Sequence, residues 1–255
     1  MLTGELHLAY CETLLWDTGA RLDERGARCV GYHAWEMTAT RFCIFDMDGV
    51  LIDSGAHHRN AWQALLEELE VTPEESEYWR LTIGRPAEEA VPLLLGRAVS
   101  GAEARHLALR KRELYAGFAR RGTLTVRGVS AFVVSLARQG VPRAVGTSAS
   151  RWDVDTLLGE LGLRRYFDVI VTAEDVRMGK PDPQVYLEAA RRLGAPPPDC
   201  LVFEDSLVGV EAARRAGMRA VGVTTAHSDA ELRASGAEST IPHFEGLEWT
   251  ALARR

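Results

Sequence analysis

Two aspartates that lie one residue apart, Asp46 and Asp48, come directly after the apolar run Phe42–Phe45. A short apolar run that ends in a turn signal is typical of a buried strand. Two carboxylates this close resist ionising together, unless a cation binds them or a reaction needs one charged and the other protonated. Ligands of open α/β sheets bind at the carboxyl ends of the strands. The pair therefore indicates an active site, although two solvated aspartates in a loop would give the same pattern.

Polar residues follow three more apolar runs in the same way. These residues are Thr147 and Ser148, Lys180, and Glu204 with Asp205. The carboxyl ends of parallel strands meet at one edge of a sheet, so we expect all of these side chains to lie near the aspartate pair. Phosphoryl transfer uses such a set: a carboxylate nucleophile, an acid/base, a hydroxyl, a lysine and carboxylates for a hard cation. Singly, each residue has an ordinary explanation as a helix cap or a turn residue.

The elements that must bring these residues together are strands that alternate with helices. Alternation of this kind predicts a doubly wound parallel sheet with helices on both faces. From about residue 56 to residue 122 the pattern is helical and carries no strand signal, so the fold class is α/β with a small all-helical insert after the first strand. The predicted strands are Phe42–Phe45, Arg143–Gly146, Val169–Thr172, Leu201–Phe203, Arg219–Val223 and Ser239–Ile241.

We therefore predict three parts of the chain. Residues 1–40 form an N-terminal extension of uncertain order, residues 41–55 and 123–255 form an α/β catalytic core, and residues 56–122 form a helical cap. Met37 stands just before the first predicted strand, which raises the hypothesis that the upstream segment lies outside the native translation start.

Composition limits the classes of partner. The chain has 255 residues and a formal net charge of −6, which disfavours general nucleic-acid binding because phosphate backbones select basic surfaces. The four cysteines have no metal-ligand spacing, and the sequence shows neither a signal peptide nor an apolar run of membrane-spanning length. We expect a cytoplasmic protein, a monomer by default, that acts on a small phosphorylated metabolite and contacts neither nucleic acid nor a membrane.

Four sequence strings resemble the haloacid dehalogenase superfamily, in particular its branch of small-molecule phosphatases and β-phosphoglucomutase-like enzymes with a helical cap. They run in the family's order and cover most of the chain from Phe42 to Val223. The third and fourth are long and specific. The strings are FDMDGVLIDS, VGTSAS, YFDVIVTAEDVRMGKPDPQVYLEAARRLG and VFEDSLVGVEAARRAGMRAVGV.

The resemblance implies a role for each polar residue at the sheet edge. Asp46 would attack phosphorus and form an aspartyl-phosphate, and Asp48 would protonate the leaving oxygen and later accept a proton from water. Lys180 would neutralise phosphate charge. Either Thr147 or Ser148 would donate a hydrogen bond to a phosphate oxygen, and the sequence leaves open which of the two does so.

The resemblance also implies a bound Mg²⁺, which prefers oxygen ligands in octahedral geometry. The side chains of Asp46 and Asp205 and the backbone carbonyl of Asp48 would be ligands. Glu204 would be a further ligand or an outer-shell partner. Both alternatives for Glu204 stay open at this point.

Within the predicted cap, Arg85 and His58 are candidate substrate-binding residues. Arg85 follows a glycine at a turn and could reach an anionic or sugar group, although an arginine on a turn is usually solvated. His58 matches a histidine of β-phosphoglucomutases near the hinge, or else packs on Trp62 at the start of a helix. We expect Arg110 and Lys111 to be charges on a helix surface rather than ligands.

These implications favour a Mg²⁺-dependent phosphatase of a small phosphomonoester such as a sugar phosphate. The main alternative is a β-phosphoglucomutase-like mutase, which is weakened because such enzymes carry an arginine where this chain has Ala87. A dehalogenase is disfavoured because that branch lacks the second aspartate. A phosphonatase would need a desolvated lysine in the cap, where Lys111 stands in a charged run. A non-catalytic binding protein on the same fold is the remaining alternative.

Overall fold

The structure is a computed structural model that describes residues 41–72, 78–119, 122 and 124–253. All of these residues belong to one compact unit, Thr38–Arg255. The predictions about residues 1–40, including the hypothesis about Met37, lie outside the described residues.

The six predicted strands all form, and they make one parallel sheet in the order β3-β2-β1-β4-β5-β6. Strand β1 lies between β2 and β4, and Phe45 is level with Val145 on one side and with Phe203 on the other. Because all strands point the same way, the residues after β1, β2 and β4 meet at one edge. The strands are β1 Phe42–Phe45, β2 Arg143–Gly146, β3 Val169–Val171, β4 Cys200–Glu204, β5 Arg219–Val223 and β6 Ser239–Ile241.

The two faces of the sheet bury separate hydrophobic clusters. Successive residues of a strand point to opposite faces. Accordingly, Cys43 and Phe45 join one cluster with helix residues such as Phe132, whereas Ile44 joins the other with residues such as Tyr186. The continuous apolar runs seen in the sequence are therefore strands buried on both faces, as a doubly wound α/β sheet requires.

Helices occupy the segments between the strands. Their positions follow the predicted pattern within a few residues, but two short C-terminal helices, α8 and α9, were not predicted. The helices are α1 Gly55–Glu68, α2 Ala87–Leu95, α3 Gly101–Ala119, α4 Val129–Arg138, α5 Arg151–Glu160, α6 Gln184–Leu193, α7 Leu207–Arg215, α8 Asp229–Ala234 and α9 Trp249–Ala253.

Helices α1, α2 and α3 lie in the segment inserted after β1, together with the 3₁₀ helix Tyr78–Thr82. They pack on one another around a small hydrophobic cluster of their own that includes Trp62, Leu94 and Leu107. The two chain segments that connect this insert to the sheet run side by side, with the Asp53 amide donating to the Leu124 carbonyl over 2.8 Å. These features support a cap of residues 56–122, and the domain boundaries stay a prediction.

None of the helices in the described part of the chain is both long enough and apolar enough to cross a membrane.

Candidate active site

The carboxyl end of β1 places Asp46 against a buried lysine. The Lys180 Nζ lies 2.9 Å from Asp46 Oδ1 and 2.6 Å from Glu204 Oε1, so one ammonium group donates to two carboxylates. All three side chains are buried. Asp46 directly follows β1, Glu204 is the last residue of β4, and Lys180 comes from the loop after β3. The sheet thus brings together residues as far apart in the sequence as Asp46 and Glu204, whose positions differ by 204 − 46 = 158.

A third carboxylate, that of Asp205, completes an acidic group at this edge. Oxygen atoms of Asp46, Glu204 and Asp205 all lie within 4.8 Å of one another, a spacing that suits a metal ion. The loop after Asp46 lies close to Asp205 because Gly49 has no side chain: a Cβ atom there would lie 1.9 Å from Asp205 Oδ2. Gly49 has a φ of +74°. Glycine adopts this left-handed conformation without steric cost.

The electrostatics of this group show an excess of negative charge. Burial raises the pKa of Asp46 to about 7, and Glu204 adds to the rise although Lys180 opposes it. Burial and the charges of Glu204 and Asp46 raise the pKa of Asp205 well above its ordinary value. Burial alone would lower the pKa of Lys180, but the charges of Asp46 and Glu204, to which its ammonium donates, outweigh burial and raise the pKa above its ordinary value. A bound divalent cation would relieve the repulsion and return the carboxylates to their charged form.

Asp48 is set apart from this group and faces the inserted helices. Its Oδ1 accepts hydrogen bonds from the Ser54 hydroxyl at 2.6 Å and from His58 Nε2 at 3.0 Å. Burial by itself would raise the pKa of Asp48, but His58, the Ser54 hydroxyl and the charge of Lys111 outweigh it and lower the pKa to about 2. The two aspartates of the sequence pair thus have opposite electrostatic environments: without a bound divalent cation, burial shifts Asp46 towards its neutral form, whereas Asp48 is held as a carboxylate.

The expectation that Lys111 is a helix-surface charge is wrong. Its side chain is buried, and its Nζ lies 2.6 Å from His58 Nδ1. Burial lowers the pKa of Lys111 to about 8, although the charges of Asp48 and Asp153 oppose the shift. The charged run around Lys111 misled the prediction because its neighbour Arg110 does lie at the surface, paired with Glu68. On a helix, adjacent residues face different directions, so one can be buried while the next is solvated.

The two hydroxyl candidates after β2 differ in what they contact. Thr147 is buried, and its hydroxyl oxygen accepts from the Ala149 amide at 3.0 Å. The Ser148 hydroxyl instead donates to the Gly84 carbonyl in the inserted segment at 3.1 Å. Among the described residues the Thr147 hydroxyl donates no recorded hydrogen bond, whereas the Ser148 hydroxyl donates to Gly84, and the choice between the two as phosphate donor stays a prediction.

Of the two candidates in the predicted cap, His58 reaches the site and Arg85 is not shown to do so. Within the described ranges, the structure gives the Arg85 side chain neither a hydrogen bond nor an ion pair. His58 contacts Asp48 and stacks on Tyr115 with 4.3 Å between the ring centroids. The alternative that His58 simply packs on Trp62 is not favoured by these contacts.

Comparison with known proteins identifies the family. Residues 40–217 match the family of hydrolases described as haloacid dehalogenase-like hydrolases. The chain belongs to this family. The resemblance drawn from the four sequence strings is confirmed.

Three similar proteins of this family are informative. The validoxylamine A 7'-phosphate phosphatase of Streptomyces hygroscopicus subsp. limoneus is 36% identical over 214 residues, which cover 82% of this chain and 96% of that protein. The β-phosphoglucomutase of Bacillus subtilis (strain 168) is 30% identical over 189 residues, or 71% of this chain and 81% of that protein. A hydrolase from Pseudomonas syringae, known by its crystal structure, superposes with a TM-score of 0.73 at 27% identity and covers 78% of this chain and 92% of that one.

The donor set fits the magnesium ion that haloacid dehalogenase-like phosphatases generally use. Carboxylate oxygens of Asp46 and Asp205 and the backbone carbonyl of Asp48 are hard oxygen donors of the kind that Mg²⁺ prefers. The contacts of Asp205 support this fit, because among the described residues the long contact from the Thr225 hydroxyl, 3.4 Å from Oδ2, is the one recorded hydrogen bond to this buried carboxylate.

Several residues that contact the site were missed by the sequence prediction. The Thr225 hydroxyl donates to the Gly49 carbonyl at 2.6 Å, and His227 Nδ1 lies 2.9 Å from the Asp205 backbone carbonyl. Tyr186 and Ser206 contact Glu204. Tyr186 and Ser206 do lie within the strings that carry the family resemblance, but an aromatic or hydroxyl residue at helix spacing is more often part of the core or a cap. Thr225 and His227 follow β5, which carries no charged residue at its end to mark it.

Proposed function

We propose that this protein is a Mg²⁺-dependent phosphatase that hydrolyses a small phosphomonoester, such as a sugar phosphate, through an aspartyl-phosphate. The observation that carries the proposal is the position of Asp46, at the tip of the central strand and in contact with Lys180 beside the carboxylate of Asp205. A nucleophile in this position has a cation beside it and a site for a second one.

In the first step the Asp46 carboxylate attacks phosphorus, and the bond from phosphorus to the leaving oxygen breaks. Asp48, whose pKa of about 2 makes it a carboxylate at rest, passes to that oxygen the proton that it takes up from the bound phosphomonoester monoanion. In the second step water attacks the aspartyl-phosphate, Asp48 takes the proton of the water, and inorganic phosphate leaves with Asp46 restored. Dividing one displacement into two is the usual advantage of covalent catalysis. When bound by Asp46, Asp205 and the Asp48 carbonyl, Mg²⁺ supplies positive charge against the phosphoryl oxygens.

Lys180 supplies a second positive charge at the phosphoryl group. Its pKa is raised, so the side chain is ammonium at neutral pH. The Thr147 hydroxyl donates to a phosphoryl oxygen. Ser148 holds the inserted segment to the core through Gly84. These fixed donors are oriented before the substrate arrives, which is the main source of electrostatic catalysis in enzymes.

The inserted helices act as the substrate-facing cap. They supply His58, which contacts Asp48, and Lys111 behind it. Arg85, which is half-buried and follows Gly84, remains our candidate contact for an anionic or hydroxylated leaving group. Two relatives act on phosphorylated small molecules according to their names, one as a 7'-phosphate phosphatase and the other as a phosphoglucomutase. We infer a substrate of similar size.

The second candidate function is a mutase, which the β-phosphoglucomutase relative favours. A mutase must hold the second phosphate of a bisphosphate intermediate, and Ala87 replaces the arginine that the resemblance assigns to this task. The assay that separates the two supplies β-glucose 1-phosphate with a trace of glucose 1,6-bisphosphate. Release of inorganic phosphate supports the phosphatase, and formation of glucose 6-phosphate supports the mutase.

The proposal is tested by phosphate release from a panel of sugar phosphates and one aryl phosphate, with Mg²⁺ and with EDTA. The Asp46→Asn variant should show no turnover, and acid quenching of the wild-type enzyme should yield a phosphorylated peptide that contains Asp46. Equal rates for wild type and Asp46→Asn would reject the assigned nucleophile. No turnover of any phosphomonoester by the folded, Mg²⁺-loaded wild type would favour the non-catalytic alternative, which keeps the fold for binding alone.

A further inference from the structure

The carboxylate of Glu204 is fully buried and has four hydrogen-bond donors around it. Its Oε1 accepts from Lys180 Nζ at 2.6 Å and from the Tyr186 hydroxyl at 2.9 Å. Its Oε2 accepts from the Ser206 amide at 2.6 Å and from the Ser206 hydroxyl at 2.8 Å. An ionised carboxylate has about four lone-pair sites, so its capacity is filled by the protein itself.

The packing around this carboxylate leaves it no room to turn. A Cβ atom at Gly209 would lie 1.7 Å from Glu204 Oε1, so the backbone of helix α7 packs directly against the carboxylate. On the other side, Tyr186 fits beside Gly146, where a Cβ atom would lie 3.2 Å from the tyrosine ring. Glu204 is therefore held in the orientation that gives these four hydrogen bonds.

Asp205, the next residue, is placed differently. Among the described residues, the Thr225 hydroxyl is the one donor near its carboxylate, 3.4 Å from Oδ2, and this is a long contact. Lys180 donates to Asp46 and Glu204 but not to Asp205. The lone pairs of Asp205 are thus available to a cation, whereas those of Glu204 are already used.

We propose that Glu204 is not a ligand of the metal but the anchor of Lys180, and that Tyr186 is a positioning residue that holds this anchor. The proposal rests on the proposed function and decides the alternative that the sequence left open for Glu204. It differs from the simplest interpretation of the acidic group, in which all three neighbouring carboxylates ligate. A ligand role for Glu204 would require Lys180, Tyr186 or Ser206 to give up a hydrogen bond to a buried charge.

The hydroxyl of Tyr186 also influences where Lys180 lies. The hydroxyl and the ammonium donate to the same oxygen, Oε1, so they share its charge. Without the hydroxyl, Glu204 attracts the ammonium more strongly and draws it away from Asp46. Tyr186 therefore keeps Lys180 between the two carboxylates, in the place where the phosphoryl group needs it.

The first test measures metal binding without substrate, by electron paramagnetic resonance titration with Mn²⁺. The matched variants are Glu204→Gln and Asp205→Asn, neighbouring substitutions that each remove one negative charge. We expect Asp205→Asn to weaken Mn²⁺ binding by more than about 100-fold and Glu204→Gln by about 10-fold and at most about 100-fold, since outer-sphere changes cost on the order of 10- to 100-fold. Equal losses in the two variants would overturn the proposal.

The second test uses Tyr186→Phe, which removes only the hydroxyl. The chain contains two lysines, Lys111 and Lys180, so protein labelled with ¹³C at lysine Cε gives two signals that a Lys111→Met variant assigns. We expect Tyr186→Phe to shift the Lys180 signal, to lower kcat by about tenfold, the size of one hydrogen bond to a charged group, and to leave Mn²⁺ affinity unchanged. An unmoved Lys180 signal with unchanged kcat would reject the positioning role.

These outcomes separate the inference from the proposed function. Mn²⁺ binding and the lysine signals are measured on the full chain without turnover, so they decide the role of Glu204 even if no phosphomonoester is hydrolysed. If the wild type hydrolyses phosphomonoesters and Glu204→Gln loses Mn²⁺ as fully as Asp205→Asn, the proposed function stands and the inference fails. Melting temperatures of all variants identify any that do not fold. If Glu204→Gln does not fold, the Tyr186→Phe result decides whether Glu204 is the anchor of Lys180.

Discussion

His58 Nε2 lies 3.0 Å from Asp48 Oδ1, so a side chain from helix α1 contacts the residue that we propose as acid/base. On its other ring nitrogen, His58 receives the ammonium of Lys111 at 2.6 Å. An ammonium can only donate there, so Nδ1 is the acceptor and Nε2 carries the hydrogen that Asp48 accepts. Burial and the charge of Lys111 lower the pKa of His58, which agrees with a neutral ring. The contacts link two helices of the insert to Asp48.

We predict that His58→Asn impairs protonation of the leaving group. Asp48 would lose its hydrogen bond from the inserted helices and its fixed orientation, and general acid catalysis is worth about 100- to 10,000-fold. A partial loss of about 10- to 100-fold in kcat is therefore expected for a sugar phosphate. With 4-nitrophenyl phosphate, whose leaving group needs no proton, the loss should be much smaller. Steady-state kinetics on the two substrates measure the difference.

The neighbouring His57 is the matched control. It lies on the same helix but contacts the Gly122 carbonyl at 3.1 Å instead of a carboxylate of the site. His57→Asn should leave the ratio of the two substrates' rates as in the wild type. If His58→Asn slows both substrates equally, then His58 does not act through the leaving-group proton.

The buried Lys111 predicts how the free energy of unfolding depends on pH. Burial lowers its pKa to about 8, against about 10.4 in an unfolded chain. Between these values the unfolded chain binds more protons at Lys111 than the folded chain does, so the free energy of unfolding rises with pH across this window. Below the folded pKa both states are protonated, and the contribution is a constant destabilisation. From pH 8 to pH 9.5 the rise due to Lys111 is about 1.5 kcal/mol.

Urea unfolding of wild type and Lys111→Met at both pH values measures this contribution. The difference between the two proteins should change by the predicted amount, because the variant lacks the group that titrates. The ¹³C signal of Lys111 reports the pKa directly, and the signal of Lys180, whose pKa is raised, is an internal control. A Lys111 signal that titrates at the ordinary lysine value would show that the side chain is solvated.

Much of the fold could be predicted because apolar runs and breaks in the pattern are local. All six strands form where the runs are, and Phe42–Phe45 and Arg143–Gly146 have the predicted limits. The residues after β1 and β4 could be placed near each other because parallel strands share an edge. The two C-terminal helices were missed because α8 and α9 are six and five residues long, too short to show helical periodicity.

The sequence could not predict which residues each charged side chain contacts. Lys111 stands between two arginines in the chain, yet the packing of α3 buries it and leaves Arg110 solvated. Next to Asp205, Glu204 has the sequence pattern of a metal ligand. The groups that donate to it, however, belong to Ser206 at the start of α7, Tyr186 in α6 and Lys180 in the loop after β3. Such contacts depend on where helices pack, and residue spacing within one segment does not contain this information.

Alanine substitutions at Gly49 and Gly96 distinguish the effect of backbone strain from the effect of a steric clash. Both have a positive φ, +74° and +62°, but a Cβ atom at Gly49 meets Asp205 whereas one at Gly96 meets nothing within 4 Å. Alanine at either position should cost about 1 kcal/mol of stability because of its left-handed backbone. Gly49→Ala must also displace Asp205, so it should lose Mn²⁺ binding and phosphatase activity while Gly96→Ala keeps both. Metal titration and kinetics compare them, and equal activity would contradict the close approach of the Gly49 loop.

Two buried tyrosines should respond in opposite ways to loss of the hydroxyl. In the part of the chain that the structure describes, the Tyr115 hydroxyl lies near the Ser54 hydroxyl but makes no hydrogen bond of good geometry, because Ser54 donates to Asp48 instead. The Tyr186 hydroxyl, in contrast, donates to the buried Glu204. Removing an unpaired buried polar group is neutral or stabilising, and removing a hydrogen bond to a charged group costs about 1.5 to 3 kcal/mol.

Tyr115→Phe should therefore keep the free energy of unfolding or raise it by about 1 kcal/mol, and Tyr186→Phe should lower it by about 2 kcal/mol. Urea unfolding at neutral pH provides the comparison, and each variant is the other's control because both replace one buried tyrosine by phenylalanine. Tyr115 stacks on His58, so its ring must stay in place for the comparison to be valid, and phenylalanine retains that ring. A loss of stability in Tyr115→Phe as large as in Tyr186→Phe would show that the Tyr115 hydroxyl is hydrogen-bonded in solution.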